Sequence, residues 1–447
     1  MNASAAAPVA PKGGGKSPLI AIFLTVFIDL LGFGIVIPLL PVYTKAYGAS
    51  EVELGLLFSA FSLMQFLFAP MWGRWSDRIG RRPILIGGLF GTAASYALFA
   101  VANAMLPPEG ATGGSTGFVM ALIFASRFLA GFFGANISTA QAYIADVTTQ
   151  ENRAKGMGLI GAAFGLGFTV GPLVGGELSV IGTWVPGAAA ALFSLASATF
   201  AWFKLPEPDR HSPSTRAIPQ GTQVRHVLAE PRLGVVYVLI FLSVVAWAGF
   251  EAMFTRFGLA AFPTKFGLEH SIDRATVAQV IDSAKYTGRY LFFIGVVSAI
   301  IQGGLIRRLV KRYGEVGLSV AGPFFLAVSF AIVAWAGRFM PGTEEGWMWV
   351  LIGCGLMPLG FGLNNPALNG LVSRAAPEDQ QGAYLGLYQS TASLARVVGP
   401  PLTGAVFKLL GPAWPFVTGA GLLFLATGIA WWYRGRFGST FARGPAA

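Results

Sequence analysis

Twelve long apolar runs divide the chain, near 18–44, 53–73, 83–105, 117–145, 155–180, 184–204, 233–262, 288–306, 316–338, 346–372, 381–409 and 412–433. A helix needs roughly 20 apolar residues to cross a bilayer. Backbone N–H and C=O groups inside lipid must bond within their own segment, so each run is predicted to be a helix. No water-soluble fold has a use for so many. The composition agrees, with 54% hydrophobic and only 11% charged residues in 447, where a soluble globule is usually about a quarter charged. The expected class is an all-α membrane protein of twelve transmembrane helices.

The first apolar run reaches Pro41, too long for the core of a cleaved signal peptide, and is read as the first membrane helix. Residues 1–17, MNASAAAPVAPKGGGKS, are small, Pro- and Gly-rich, and are expected to form a disordered tail. The expected organisation is a tail (1–17), a six-helix half (18–204), a polar linker (205–232), a second six-helix half (233–435) and a short tail (436–447). Lys and Arg counts orient it. With the N-terminus cytosolic, that side carries 21 and the other side 7, while Arg127, Arg256 and Arg396 lie inside runs, together the 31 of the chain. By the positive-inside rule both termini are cytosolic, in the inner (plasma) membrane.

The net charge of +11 falls in short clusters between apolar runs, a lipid-headgroup pattern that excludes nucleic acid as partner. Cys354 is the one cysteine, and His211, His226 and His270 are scattered through predicted loops. Neither a metal site nor a cofactor site is expected. No nucleophile–base constellation lies in the runs, so the chain is not read as an enzyme. No P-loop is present to bind ATP.

The halves repeat one another. Gly171-Pro172 and Gly399-Pro400 stand 228 residues apart, and the same offset joins Gly134 to Gly362, Asn136 to Asn364, Gly158 to Gly386 and Gly176 to Gly404. With a shift, DRIG (77–80) faces KRYG (311–314). Parallel repeats of this kind are a transporter architecture. The segment VIDSAKYTGRY, between Gln279 and Leu291, has no counterpart in helix 2 and is placed in external loop 7–8, as an extended hairpin or a helix extension.

Charge concentrates in GRWSDRIGRR, residues 73–82. Arg74, Arg78, Arg81 and Arg82 suit a cytosolic loop, but that does not account for Asp77, Gly73 or Gly80. Glycine allows positive φ or close backbone approach, and a carboxylate is favoured near a helix N-terminus. Farther along, Gly167, Gly171 and Gly175 recur every four residues, a face on which helix backbones can touch, and Gly158, Gly161 and Gly165 extend that seam. Pro172 should bend the helix.

These motifs carry a resemblance. GRWSDRIGRR matches every defined position of the loop 2–3 signature of the major facilitator superfamily, Gly-x-x-x-Asp-Arg-x-Gly-Arg-Arg. GLIGAAFGLGFTVGPLVGG (158–176) resembles the antiporter signature of its drug–proton exporters, at Gly158, Gly167, Gly171, Pro172, Gly175 and Gly176. DLLGFGIVIPLLP (29–41) and RFLAGFFGANISTAQAYIADVT (127–148) resemble helices 1 and 4 of the bacterial tetracycline exporters. The resemblance implies two pseudo-symmetric six-helix halves. It further implies that Asp77, with Gly73, Arg78, Gly80, Arg81 and Arg82, latches the cytosolic ends of helices 2 and 11, and that helix 5 seals the interface between the halves. The plain alternatives are a topology signal and ordinary tight packing. Two exporter acids are absent: Ser95 stands where helix 3 would carry one, and 316–337 holds none.

Ionisable residues in a membrane are expensive and mark function. Asp29 lies about eleven residues into helix 1 and Arg127 about ten into helix 4 from the other face, each near 16 Å deep at about 1.5 Å per residue. They are the candidate proton-coupling pair, the alternative being a structural ion pair. Glu251 and Arg396 lie at matching depth in helices 7 and 11 and form a second candidate ion pair. Phe33, Gln65, Phe132, Asn136, Gln141, Glu251, Asn364, Asn365 and Gln389 are candidates to line a substrate cavity, apolar with a few polar groups.

The expected function is proton-driven export of a small amphiphilic or cationic organic compound, a drug or antibiotic, by alternating access. The partners are that substrate, protons and the bilayer, and the chain is expected to work as a monomer. The alternatives are a proton-coupled exporter or symporter of a metabolite or sugar, and a transporter-like sensor.

Overall fold

The computed structural model describes residues 16–42, 48–105, 115–148, 150–208, 230–268, 275–375 and 381–442. The tail before residue 16, most of the expected linker (209–229) and all three histidines lie outside them.

Each of the twelve apolar runs has a helical counterpart. They are α1 (Lys16–Val36, prolonged by a 3-10 turn Ile37–Leu39), α2 (Glu51–Ile79), α3 (Arg81–Ala104) and α4 (Ser115–Phe133, a 3-10 turn Gly134–Asn136, then Ile137–Val147). Then come α5 (Gln150–Leu178), α6 (Val185–Lys204) and α7 (Pro231–Ala261). Next is α8 (Val277–Ile300, with a π turn Ile301–Leu305), running into Ile306–Phe339. That last stretch breaks at Gly314, φ 68°, so its first part completes α8 and its remainder is α9. The series ends with α10 (Glu344–Ala375), α11 (Gln381–Leu410) and α12 (Trp414–Ala442). Among the described residues the fold is all-α, as expected.

Three boundaries differ from the expectation. α8 starts at Val277, ahead of the apolar run, because Thr276 and Gln279 form a reciprocal capping box that satisfies its first donors. VIDSAKYTGRY is therefore helix, with Val280, Ser283, Ala284, Thr287 and Gly288 buried. The first half begins earlier too, since α1 includes Lys16. At the other end α12 continues to Ala442, so the expected tail from 436 is helical that far.

Lipid tails are as apolar as leucine, so these helices associate through close backbone contact. A Cβ on Gly34 would lie 2.8 Å from the Gly167 carbonyl and 3.0 Å from Gly171 Cα. One on Gly175 would meet the Ile35 carbonyl oxygen. The glycine face of α5 thus packs on α1, inside its own half. The expected prolongation of that seam is not used: Gly161 and Gly165 face open space, and the surroundings of Gly158 lie outside the described residues. α5 is one unbroken helix through Pro172.

The repeat is visible in contacts. Gly80 (φ 122°) joins α2 to α3 as Gly314 joins α8 to α9. Asn136 of α4 presses on Gly88 of α3, and Asn364 of α10 presses on Gly322 of α9. Gly171 meets α1, whereas its mate Gly399 meets Val245 of α7.

Candidate functional site

Asp29 and Arg127 come from α1 and α4, both interrupted by 3-10 turns a few residues beyond them. Both are buried, Arg127 at 1% exposure. They do not form the expected ion pair: no contact within 4 Å joins them, and Asp29 Oδ1, Arg127 Nε and Arg127 Nη1 make no hydrogen bond. Thr92 and Tyr96, both on α3, are their polar neighbours. Thr92 adjoins Asp29, and the buried Tyr96 hydroxyl feels both charges while making no hydrogen bond itself.

Aromatic rings hold the Arg127 guanidinium instead. Its Cζ lies 5.0 Å from the Phe61 ring centroid and 5.5 Å from that of Phe33. A desolvated cation–π contact is worth about 2 kcal/mol or more, which offsets only part of the several kcal/mol that burial of a cation costs. Arg127 remains a cation short of an anion.

The rings continue across the molecule. Phe33 lies 4.3 Å from Phe61 and 5.3 Å from Phe168 of α5, and Phe168 in turn faces the Arg396 guanidinium at 6.0 Å. Aromatic side chains from α1, α2 and α5 therefore stand between a buried cation of one half and a half-buried cation of the other. Glu251 of α7 and Tyr388 of α11 lie within electrostatic reach of Arg396. Glu251 and Arg396 likewise form no ion pair in this structure. Of Arg127, Arg256 and Arg396, Arg256 reaches an acid, its Nη1 donating to Glu51 of α2. The spacing along α7 gave no hint of that partner, because it belongs to the other half.

Most of the other cavity candidates pack between helices. Asn136 and Asn364 fill the notches left by Gly88 and Gly322, and Gln65 Nε2 donates to the Gly134 carbonyl at 3.2 Å. Phe132 belongs to a cluster with Phe68 and Trp72, whose Nε1 donates to the Phe132 carbonyl at 2.7 Å. Asn365 lends its carbonyl to Asn369, while Gln141 and Gln389 are half-buried. Of the nine, Phe33 lies against the buried Arg127, and Glu251 lies within electrostatic reach of the half-buried Arg396. Sequence reasoning missed Phe61, Tyr96 and Phe168. An aromatic inside the glycine face of α5 was the available signal for the last.

The loop motif folds around Arg81. Its Nη1 lies 2.6 Å from Asp77 Oδ1, and its Nε donates to Asp146 Oδ2 at 2.9 Å. Glu207, just past α6, accepts from the backbone N–H of Arg81 (2.7 Å) and of Arg82 (2.9 Å), capping α3. Gly80 is needed twice, for its φ of 122° and because a Cβ would lie 2.9 Å from Glu207 Oε1. Asp77 is 60% exposed and pairs inside its own loop, so the expected link to α11 is not made here. Gly73 lends its carbonyl to Ser76, Arg82 donates to the Trp202 carbonyl, and Arg78 is exposed.

The sequence model of the Major Facilitator Superfamily matches residues 22–400 and 347–442. The chain belongs to the major facilitator superfamily. Tetracycline resistance protein, class C, of Escherichia coli is 30% identical over 91% of this chain and 94% of its own. Human Major facilitator superfamily domain-containing protein 10 is 29% identical over 94% and 93%. Multidrug resistance protein 1 of Bacillus subtilis is 29% identical over 93% and 97%. Among solved structures, the human organic anion transporter MFSD10 superposes with a TM-score of 0.64 at 26% identity, over 93% of this chain and 99% of that one. A bacterial Spinster homologue reaches 0.70 at 14% identity, over 98% and 100%, a likeness of fold.

Membership of the superfamily makes this a multi-pass membrane transport protein that takes a small-molecule substrate. Ser95 of α3 spends its hydroxyl on the Gly91 carbonyl of its own helix.

Proposed function

We propose that this chain is a proton-coupled exporter of a small amphiphilic or cationic organic compound, working as a monomer by alternating access in the inner membrane with both termini cytosolic. One observation carries the coupling: Asp29 is buried with an oxygen that bonds to nothing, and it shares its neighbour Tyr96 with the buried Arg127. Rocking of the halves changes which side hydrates such a group, and a carboxylate that gains and loses a proton between the two states couples the gradients. Asp77 is the latch of the outward-facing state, open here. Resemblance to the tetracycline and multidrug resistance proteins supports the substrate class.

A second reading is favoured by Arg127 and Arg396 and by the relative described as an organic anion transporter. An organic anion would settle against Arg127, and the sign of coupling then reverses. A proton on Asp29 removes the competing carboxylate and strengthens anion binding, so proton and anion travel together. A cation binds better when Asp29 is ionised, so proton and cation exchange.

Reconstitution in proteoliposomes separates the readings. Exchange predicts that a cationic dye accumulates on the more acidic side. Accumulation of an anionic dye on the more alkaline side, with none of the cation, would replace the first reading by the second. No flux of either dye contradicts both.

A further inference from the structure

Among the described residues, ion pairs between the halves stand at the end of the bundle away from the termini. There α5 ends, and Glu177 receives Arg289 Nε at 2.7 Å and Lys285 Nζ at 3.6 Å, both from α8. Backbones touch alongside: a Cβ on Gly176 would lie 3.1 Å from Lys285 Cα, and one on Gly288 would meet the Pro172 carbonyl oxygen. On the opposite flank α2 begins. Glu51 receives Arg256 Nη1 from α7, and Arg256 Nη2 donates to the Ala49 carbonyl at 3.0 Å. Glu53 lies within electrostatic reach of Lys408, near the end of α11. At the termini end the pairs of Arg81 with Asp77 and Asp146, and of Arg374 with Glu315, each stay inside one half.

With Gly314 matched to Gly80, Lys285 stands in α8 where α2 has Glu51 and Arg289 where it has Gly55, and only Val277–Ala284 lies ahead of the start of α2. We propose that the first turns of α8 are a gate arm: Lys285 and Arg289 closing on Glu177, together with Arg256 closing on Glu51, hold the mouth opposite the termini shut, and both clamps open once per transport cycle. The two differ in kind. Glu177 and Arg289 are 42% and 51% exposed, so water and salt compete for them, whereas Arg256 and Glu51 are 7% and 17% exposed. The first clamp is the readily released one and the second sets the closed position.

The inference rests on the alternating-access reading, but its readout is independent of transport. Thr169 lies on the α5–α8 contact, about 12 Å below Glu177 along the helix at about 1.5 Å per residue. In a Cys354→Ala background, Thr169→Cys is labelled with an impermeant maleimide from each side of sealed vesicles. Glu177→Gln, Glu177→Lys and Arg289→Gln should each speed labelling from the face opposite the termini by about two- to fivefold, the scale of a part-exposed ion pair in a two-state balance. The exchange Glu177→Arg with Arg289→Glu should restore the slow rate. Arg256→Gln should give the larger increase, and salt should speed labelling of the parent and not of Glu177→Gln. Unchanged labelling in the single variants at normal expression, or a double exchange no slower than Glu177→Lys, overturns the gate. Unchanged labelling with transport intact sinks the gate alone, whereas a parent protein that moves no substrate sinks the alternating-access reading.

Discussion

Gly176 and Gly404 stand 228 residues apart and make equivalent contacts on opposite flanks of the molecule. A Cβ on Gly176 would press on Lys285 of α8, and one on Gly404 would meet the Glu51 carbonyl oxygen of α2. Each glycine thus lets a helix of one half lie against a helix of the other.

Adding bulk there should separate the halves. Gly404→Val is expected to cost about 1–3 kcal/mol, the usual penalty for overpacking a tight contact, read as a lower Tm in detergent. Gly165→Ala faces open space and should be neutral or stabilising by up to about 1 kcal/mol, since alanine is the better helix former. Equal Tm values for the two variants would contradict the contact.

Asp77→Asn should leave folding intact, because the exposed pair with Arg81 is worth at most about 1 kcal/mol. It should lower transport if Asp77 latches α2 to α11 in the outward-facing state. Normal efflux at normal expression would reduce the loop to a topology signal.

Glu251 and Arg396 sense each other without touching. If another state of the cycle brings them together, reversing one charge should abolish transport and reversing both should recover much of it. The single reversal should cost less than the about 3–5 kcal/mol of breaking a closed buried pair. Additive damage in the double variant would show that they never meet.

Orientation follows from the Lys and Arg asymmetry. A fluorescent protein fused after the C-terminus should fold and glow, and an alkaline phosphatase fused there should be inactive. The reverse pattern would invert every statement about sides.

The membrane class, the long apolar helices and the repeat were legible because apolar length, and glycine spacing repeated at one offset, are properties of the sequence itself. Partners between helices were not. Asn136 and Asn364 read as cavity residues because a polar side chain in an apolar run gives no sign of the glycine waiting opposite. Gly161 and Gly165 share the spacing of Gly167, yet spacing cannot tell a neighbouring helix from open space. The α8 extension was hidden by Asp282, Lys285 and Arg289, which break its apolar run, although Thr276 and Gln279 spelled its capping box. Arg127 was found by depth alone, while the rings that hold it come from two other helices.

Asp29→Asn tests the proton coupling most directly. The amide keeps the shape of the protonated acid and cannot ionise, so exchange of substrate down its gradient should persist while uphill accumulation is lost. The measurement is substrate flux in proteoliposomes with and without an imposed pH gradient. The proposal predicts equal flux under both conditions for the variant and gradient-driven accumulation for the parent. A variant that still concentrates substrate when the gradient is applied would contradict it, and the coupling site would then lie elsewhere, with Glu251 next to be tested.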